Sequence, residues 1–205
     1  MRISRFDFTA LLLLLPCCYA QTWTSTATKA LTLKDASLLG PLNSTTALHV
    51  LIGLKLQNAA QVQPTLKAMV TPGNALYGTS FTTSQFMARF APTSAQVEAV
   101  EKYLTSYGFK NLGVESNNLV IQADATAGEV EAAFNTTLVS YLQNGEKVFA
   151  NTADARVPSS LSGTVGAVLG LNNLPGLSIP TPPSTTNLLN GYSPQDFQVA
   201  YNANY

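Results

Sequence analysis

A chain of 205 residues with one histidine, His49, and two adjacent cysteines, Cys17 and Cys18, has few ways to build a reactive centre. A Ser–His–Asp hydrolase needs an imidazole flanked by a hydroxyl and a carboxylate, and no carboxylate lies near His49 in the sequence. A zinc site needs three or four Cys, His or acidic ligands, and the sequence offers neither a spaced cysteine pair nor a second histidine. Paired carboxylates remain: Glu98 with Glu101, and Glu129 with Glu131. Such pairs can divide acid and base roles. Both, however, fall within or at the start of helical patterns, where the helix macrodipole and solvated faces account for them. No catalytic, cofactor-binding or metal-ligating residue is therefore assigned. His49 reads as a surface or sheet-packed residue. Asn43 ("NST") and Asn135 ("NTT") match the glycosylation sequon, whose use depends on the host.

The elements that would carry these residues follow from periodicity. From Ala47, "ALHVLIGLKLQ" sets Leu48, Val50, Ile52, Leu54 and Leu56 on one side at period two, which predicts a strand with one buried face. "NAAQVQPTLKAMV" spaces Val62, Leu66 and Met69 as a helix, with Pro64 tolerated only near its first turn. Three stretches then open with Thr followed three residues later by Gln or Glu: Thr82 with Gln85, Thr93 with Gln96, and Thr126 with Glu129. Each is a candidate capping box, and each precedes apolar residues at helical spacing. Gly108 is the expected stop of the longest helix.

"NLGVESNNLVIQA" predicts a hairpin around Ser116 and Asn117, and "TLVSYLQNGEKVFAN" a second one turning at Asn144 and Gly145. The order is strand, helices, strand, strand, helix, strand, with a further strand around Val148. That is an α+β, ferredoxin-like (split βαβ) arrangement, an antiparallel sheet with helices on one face. Beyond Arg156, "VPSSLSGTVGAVLGLNN" predicts a short helix and then a close-packed strand.

The two ends differ from this body. Arg2 and Arg5, the apolar run "ALLLLLP" and the small residue Ala20 have the layout of a secretory signal peptide over 1–20, with cleavage between Ala20 and Gln21. Both cysteines lie inside it, so the exported chain must be held by packing without disulfides. Residues 21–44, rich in Thr and Ser, read as a flexible leader that drapes over the domain or stays mobile. Residues 45–173 form the domain, and 174–190, with Pro175, Pro180, Pro182 and Pro183, read as an extended linker. "GYSPQDFQVAYNANY", 191–205, reads as a helix start, with Ser193 as N-cap and Pro194 in the first position. Of 11 basic and 11 acidic residues, Arg2, Arg5 and Asp7 fall in the signal segment, leaving a net charge of −1. That gives no support to a nucleic-acid or anionic-membrane partner.

The stretches "LYGTSFTTSQFMARFAPTSAQVEAVEKYLTSYGF" and "NNLVIQADATAGEVEAAFNTTLVSYLQNGEKVFANTADARVPSSLSGTVGAVLGLNN" resemble the activation domain of the sedolisins, the secreted serine-carboxyl peptidases that include kumamolisin. The resemblance runs from about Leu48 to Asn173 and continues weakly at "GYSPQDFQVAYN", which is similar to the opening of their catalytic domain. It implies a ferredoxin-like pro-domain that assists folding of the peptidase and blocks its cleft until acid and self-cleavage release it. The Ser, Glu and Asp catalytic set and the calcium site of that family belong to the catalytic domain. Their motifs, including the Gly-Thr-Ser nucleophile segment, are absent from these 205 residues.

The resulting expectation is a pro-segment whose partner is the catalytic domain of a sedolisin-type peptidase, in cis or in trans. The processing region is expected at Thr186, Asn187, Leu188, Leu189, Asn190 and Gly191. With a single histidine, an acid switch would rest on carboxylates, and Glu98, Glu101, Glu115, Asp124 and Asp154 are the candidates. The segment from Tyr192 is expected to lead into a catalytic domain that this sequence lacks. A freestanding secreted inhibitor or chaperone acting in trans is the alternative. A plain secreted β-rich or adhesion module is the third reading.

Overall fold

The computed structural model describes residues 21–174. In chain order the elements are β1 (Trp23–Ser25), β2 (Ala36–Pro41), β3 (Ala47–Leu54), α1 (Ala59–Val70), α2 (Thr83–Arg89), α3 (Ser94–Ser106), β4 (Lys110–Val114) and β5 (Val120–Thr126). There follow α4 (Ala127–Phe134), β6 (Leu138–Gln143), β7 (Glu146–Asn151), β8 (Arg156–Pro158), a 3-10 turn at Ser159–Leu161, and β9 (Val165–Leu169). The signal segment, the linker beyond Leu174, the Thr186–Gly191 processing region and the helix start at Ser193 all lie outside the described residues.

Alternation decides β3. Leu48, Val50, Ile52 and Leu54 are buried while His49 is exposed. All three capping boxes form, with each Thr hydroxyl accepting the N3 amide and each N3 side chain accepting the amide of its own Thr. Gly108, at φ 95°, ends the α3 segment, and Asn144 and Gly145 both take positive φ in the turn between β6 and β7, as a type I′ hairpin requires. Pro64 departs from expectation. It is the sixth residue of α1, and the intrahelical bond it cannot donate leaves a carbonyl at Ala60, which is exposed and open to water.

The main sheet runs β4-β5-β3-β9, with every neighbour antiparallel. This is the split βαβ order, but its fourth strand is not the one that periodicity suggested. The β6–β7 hairpin pairs with β2 in a separate three-stranded sheet, and β9 fills the place beside β3. The chain passes close against β3 where β9 ends: a Cβ on Gly170, at φ 90°, would stand 2.4 Å from the His49 carbonyl oxygen, so that position requires glycine.

Of the two expectations for the leader, the structure shows the draped one and not the mobile one: residues 21–44 supply β1, which pairs with β8, and β2, which pairs with β6. Their Thr and Ser content hid two edge strands, in which backbone rather than apolar side chains does the binding.

On the inner side of the main sheet, Val97, Val100 and Leu104 of α3 and Val130, Ala133 and Phe134 of α4 join Val50, Ile52, Ile121, Ala123, Val165 and Val168 in one core. Phe109 meets Phe134 edge to face at 5.9 Å. Helices thus cover one face of the sheet. The other face carries the candidate site.

Candidate functional site

Pleating sends every second residue of the main sheet away from the helices. On β3 these are His49, Leu51 and Gly53; on β5, Val120, Gln122 and Asp124; on β9, Ala167 and Leu169. The register makes them neighbours. Leu51 lies opposite Gln122 on one side and Leu169 on the other, and Gly53 lies between Val120 and Ala167. Leu169 is 56% exposed, while Leu51, Val120 and Ala167 are half-buried. The result is an apolar strip across an open sheet face.

One end of this face is polar. His49 stands opposite Asp124 in the register, and its Nδ1 lies 2.6 Å from Asp124 Oδ1. The other carboxylate oxygen accepts a hydrogen bond of 2.8 Å from Asn111 Nδ2. Asn111 reaches it because β4 is irregular between Lys110 and Gly113, and the residue itself sits at φ 52°. Hydrogen bonding from His49, and then from Asn111, holds the Asp124 carboxyl below its usual range. A carboxylate thus does face the only histidine, 75 residues away in sequence. Cross-strand register was the signal that could have found it. Asp124 is the imidazole's hydrogen-bond partner among the described residues, so the pair resembles two thirds of a hydrolytic triad without its nucleophile.

The other carboxylates are spread over the molecule. Glu98 pairs with Lys102 at 2.8 Å on the exposed side of α3, and this pairing keeps its carboxyl low. Glu101 lies beside them, where α3 and Leu112 line a shallow open hollow. Glu115 is exposed in the β4–β5 turn. Asp154 accepts from the Ala30 amide and from Lys29 Nζ, both at 2.9 Å, which pins the N-terminal segment. Only Asp124 of the five candidates belongs to the open sheet face.

The pair at the start of α4 is occupied structurally. Glu129 Oε2 accepts from the Thr126 amide at 2.7 Å, and that bond lowers its carboxyl. Glu131 Oε1 accepts from the Leu138 amide at 2.6 Å. Of the two sequons, Asn43 is exposed and its side chain accepts from both the amide and the hydroxyl of Thr45. Asn135 caps α4 in the left-handed conformation. Among the described residues no cluster of three or more His, Cys, Asp or Glu gathers closely enough to hold a metal ion. No helix among them is long and apolar enough to cross a membrane.

Comparison with known proteins places this architecture. Residues 34–174 match the family described as "Pro-kumamolisin, activation domain". The chain is 40% identical over 195 residues to Sedolisin from Pseudomonas sp. (strain 101), a match covering 88% of this chain and 33% of that protein. It is 44% identical over 140 residues to Xanthomonalisin from Xanthomonas sp. (strain T-22), covering 68% of this chain and 17% of that protein. The chain therefore spans a third or less of each of these two relatives. With a match across most of its length, and with the split βαβ sheet that its own periodicity, caps and turns build, the chain belongs to the pro-kumamolisin activation domain family.

Proposed function

We propose that the chain is the pro-segment of a secreted, acid-acting serine-carboxyl endopeptidase, which assists folding of the catalytic domain and inhibits it until self-cleavage. The observation that carries this reading is the open apolar face of the main sheet. A sheet seeks a covering layer on each apolar face, and α3 and α4 cover only the inner one. Single exposed leucines mean little. Leu51 and Leu169, however, are direct cross-strand neighbours, with Val120 and Ala167 flanking Gly53 beside them, and this contiguous strip supports our assignment of the face as the docking surface. In both relatives most of the polypeptide lies outside the matched stretch, and that remainder is the partner we assign to the face.

The acid response is assigned to the polar end of the same face. Asp124 has a lowered carboxyl, so the stabilisation from its bonds to His49 and Asn111 is present above the ordinary aspartate value of 3.8 and is lost as pH falls through the lower folded value. An interface bordered by this pair holds at mild acidity and weakens in strong acid. The 174–190 stretch would then cross the peptidase cleft, with Thr186–Gly191 as the processing region. Calcium, where needed, belongs to the catalytic domain.

The test is inhibition of a mature sedolisin-type peptidase by the purified chain across pH. The native chain should inhibit tightly near neutrality and lose potency in acid. Leu51→Glu and Leu169→Glu, which place charge in the strip, should each weaken inhibition by at least about tenfold. Unchanged inhibition by both variants would remove the open face as the docking surface. Tight inhibition that persists at acidic pH, with no cleavage of the chain, would favour the freestanding inhibitor instead.

A further inference from the structure

The segment ahead of β2 is attached unlike anything else in the domain. Residues 22–31 run along β8 and β9 and are held almost wholly by hydrogen bonds. The Thr26 amide and hydroxyl both donate to the Ala155 carbonyl, at 2.9 and 2.8 Å, and the Ala155 amide donates to the Thr28 carbonyl. The Ala27 amide donates to the Gly166 carbonyl at 2.8 Å. Thr28 then takes the place of a neighbouring strand: its hydroxyl donates to the Val168 carbonyl at 2.7 Å and accepts the Val168 amide at 2.8 Å. These contacts close the outer edge of β9, an edge that would otherwise present unpaired backbone.

Two features make this closure separable from the core. Thr26 is the one fully buried side chain in the segment, with Trp23, Thr28 and Leu31 half-buried, so opening it exposes far less apolar surface than opening the core. Its anchor to β7 is narrow, resting on one residue: Asn151 donates from Nδ2 to the Lys29 carbonyl at 2.9 Å, and its own carbonyl accepts the Leu31 amide at 2.8 Å. The charged fastening is Asp154, whose two oxygens accept from the Ala30 amide and Lys29 Nζ. Lys29 pairs with it from the segment at 2.9 Å, and the charge of Arg156 on β8 also favours the ionised carboxylate.

We propose that residues 22–31 are an acid-released strap, latched by Asp154, which opens ahead of the rest of the domain and bares the edge of β9. Protonation of Asp154 removes the charge that the Ala30 amide and Lys29 Nζ share. The Ala30 amide, then Lys29, hold the Asp154 carboxyl below its ordinary value of 3.8. The latch is therefore fully engaged above that value and is lost as pH falls through the lowered one. Opening leaves the Gly166 carbonyl and both backbone groups of Val168 without partners, beside the stretch where Asn173 bonds to Phe149 of β7. The inference does not depend on what the open sheet face binds.

Amide hydrogen exchange on the full chain tests it. At neutral pH the Ala27, Ala30 and Val168 amides should be less protected than those of Val50 and Ile121. Asp154→Asn should lower strap protection roughly three- to tenfold and leave the core amides unchanged. Lys29→Ala, which keeps the Ala30 bond, should lower it less. The native strap should converge on the Asp154→Asn value as pH drops below the aspartate range, whereas the variant should show no such step. Equal protection of strap and core overturns the proposal, because the strap then opens only with global unfolding. So does an Asp154→Asn variant with native strap protection, or one that keeps the native pH step.

Discussion

Helices α1 and α3 have 12 and 13 residues and comparable amphipathic character, yet they sit in the molecule very differently. α3 buries Val97, Val100 and Leu104 against the sheet. α1 buries only Thr65, and leaves Leu66 50% and Val70 73% exposed. Its partner α2 buries nothing, and every residue from Thr71 to Ser80 is exposed. What joins α1 to α2 is a hollow of about 80 Å³ lined by Leu56, Val62, Thr65, Leu66, Phe81, Phe86 and Phe90. Phe90 meets Phe81 edge to face at 5.6 Å, and the Arg89 guanidinium stands 5.7 and 5.4 Å from the Phe81 and Phe90 ring centres. An apolar stripe on a helix therefore states a need for a partner; how much it buries depends on whether a sheet or only a small aromatic cluster meets it.

The largest expected effect tests the body side of this contrast. Phe134→Ala removes a fully buried ring packed against Phe109 and should cost about 3–5 kcal/mol in denaturant unfolding. Val62→Ala, in the α1–α2 lobe, should cost less than about 1 kcal/mol, since its neighbours already line a hollow. Equal losses would show that the lobe and body unfold as one unit and share their packing.

The capping boxes sharpen the comparison because the same device occurs in both regions. Thr93→Ala on α3 should lower global stability by about 1 kcal/mol. Thr82→Ala on α2 should change the global midpoint by less than about 0.5 kcal/mol. It should instead speed amide exchange in α2, as local fraying predicts. Pro64→Ala should act in the opposite sense, supplying a donor for the Ala60 carbonyl and raising amide protection in α1 with little change in the global midpoint.

Acid gives the smallest and most selective effect. The carboxyls held low, Glu98, Asp124, Glu129 and Asp154, all lie outside the lobe, whose residues 56–92 carry Lys67 and Arg89 but no acidic side chain. Their contributions are present above the ordinary values of 3.8 and 4.5 and fade as pH falls through the lowered ones. Exchange protection around β3, α4 and β8 should thus decline in strong acid while that of α1 and α2 does not. A parallel decline in both regions would contradict this assignment.

The body was more legible than the site. Thr82, Thr93 and Thr126 act as caps because each one's partners lie within three residues, and Asn144–Gly145 turns the chain through its own permitted dihedrals. The burial alternation of β3 was equally plain. The site was not, because Asp124 meets His49 across a distance of 75 residues, and neither residue's immediate neighbours name the other.

Sequence by itself thus determined where α2, α3 and α4 start, which face of β3 is buried, and which turn closes the second hairpin, since each follows from contacts among a few successive residues. Tertiary structure alone decided which strands became neighbours. It sent the β6–β7 hairpin to β2, drew the glycine-bearing β9 beside β3, and folded a polar leader onto two edges. Many strand pairings satisfy the same alternation, and the choice among them rests on long-range closeness of fit, such as the 2.4 Å approach that only Gly170 permits.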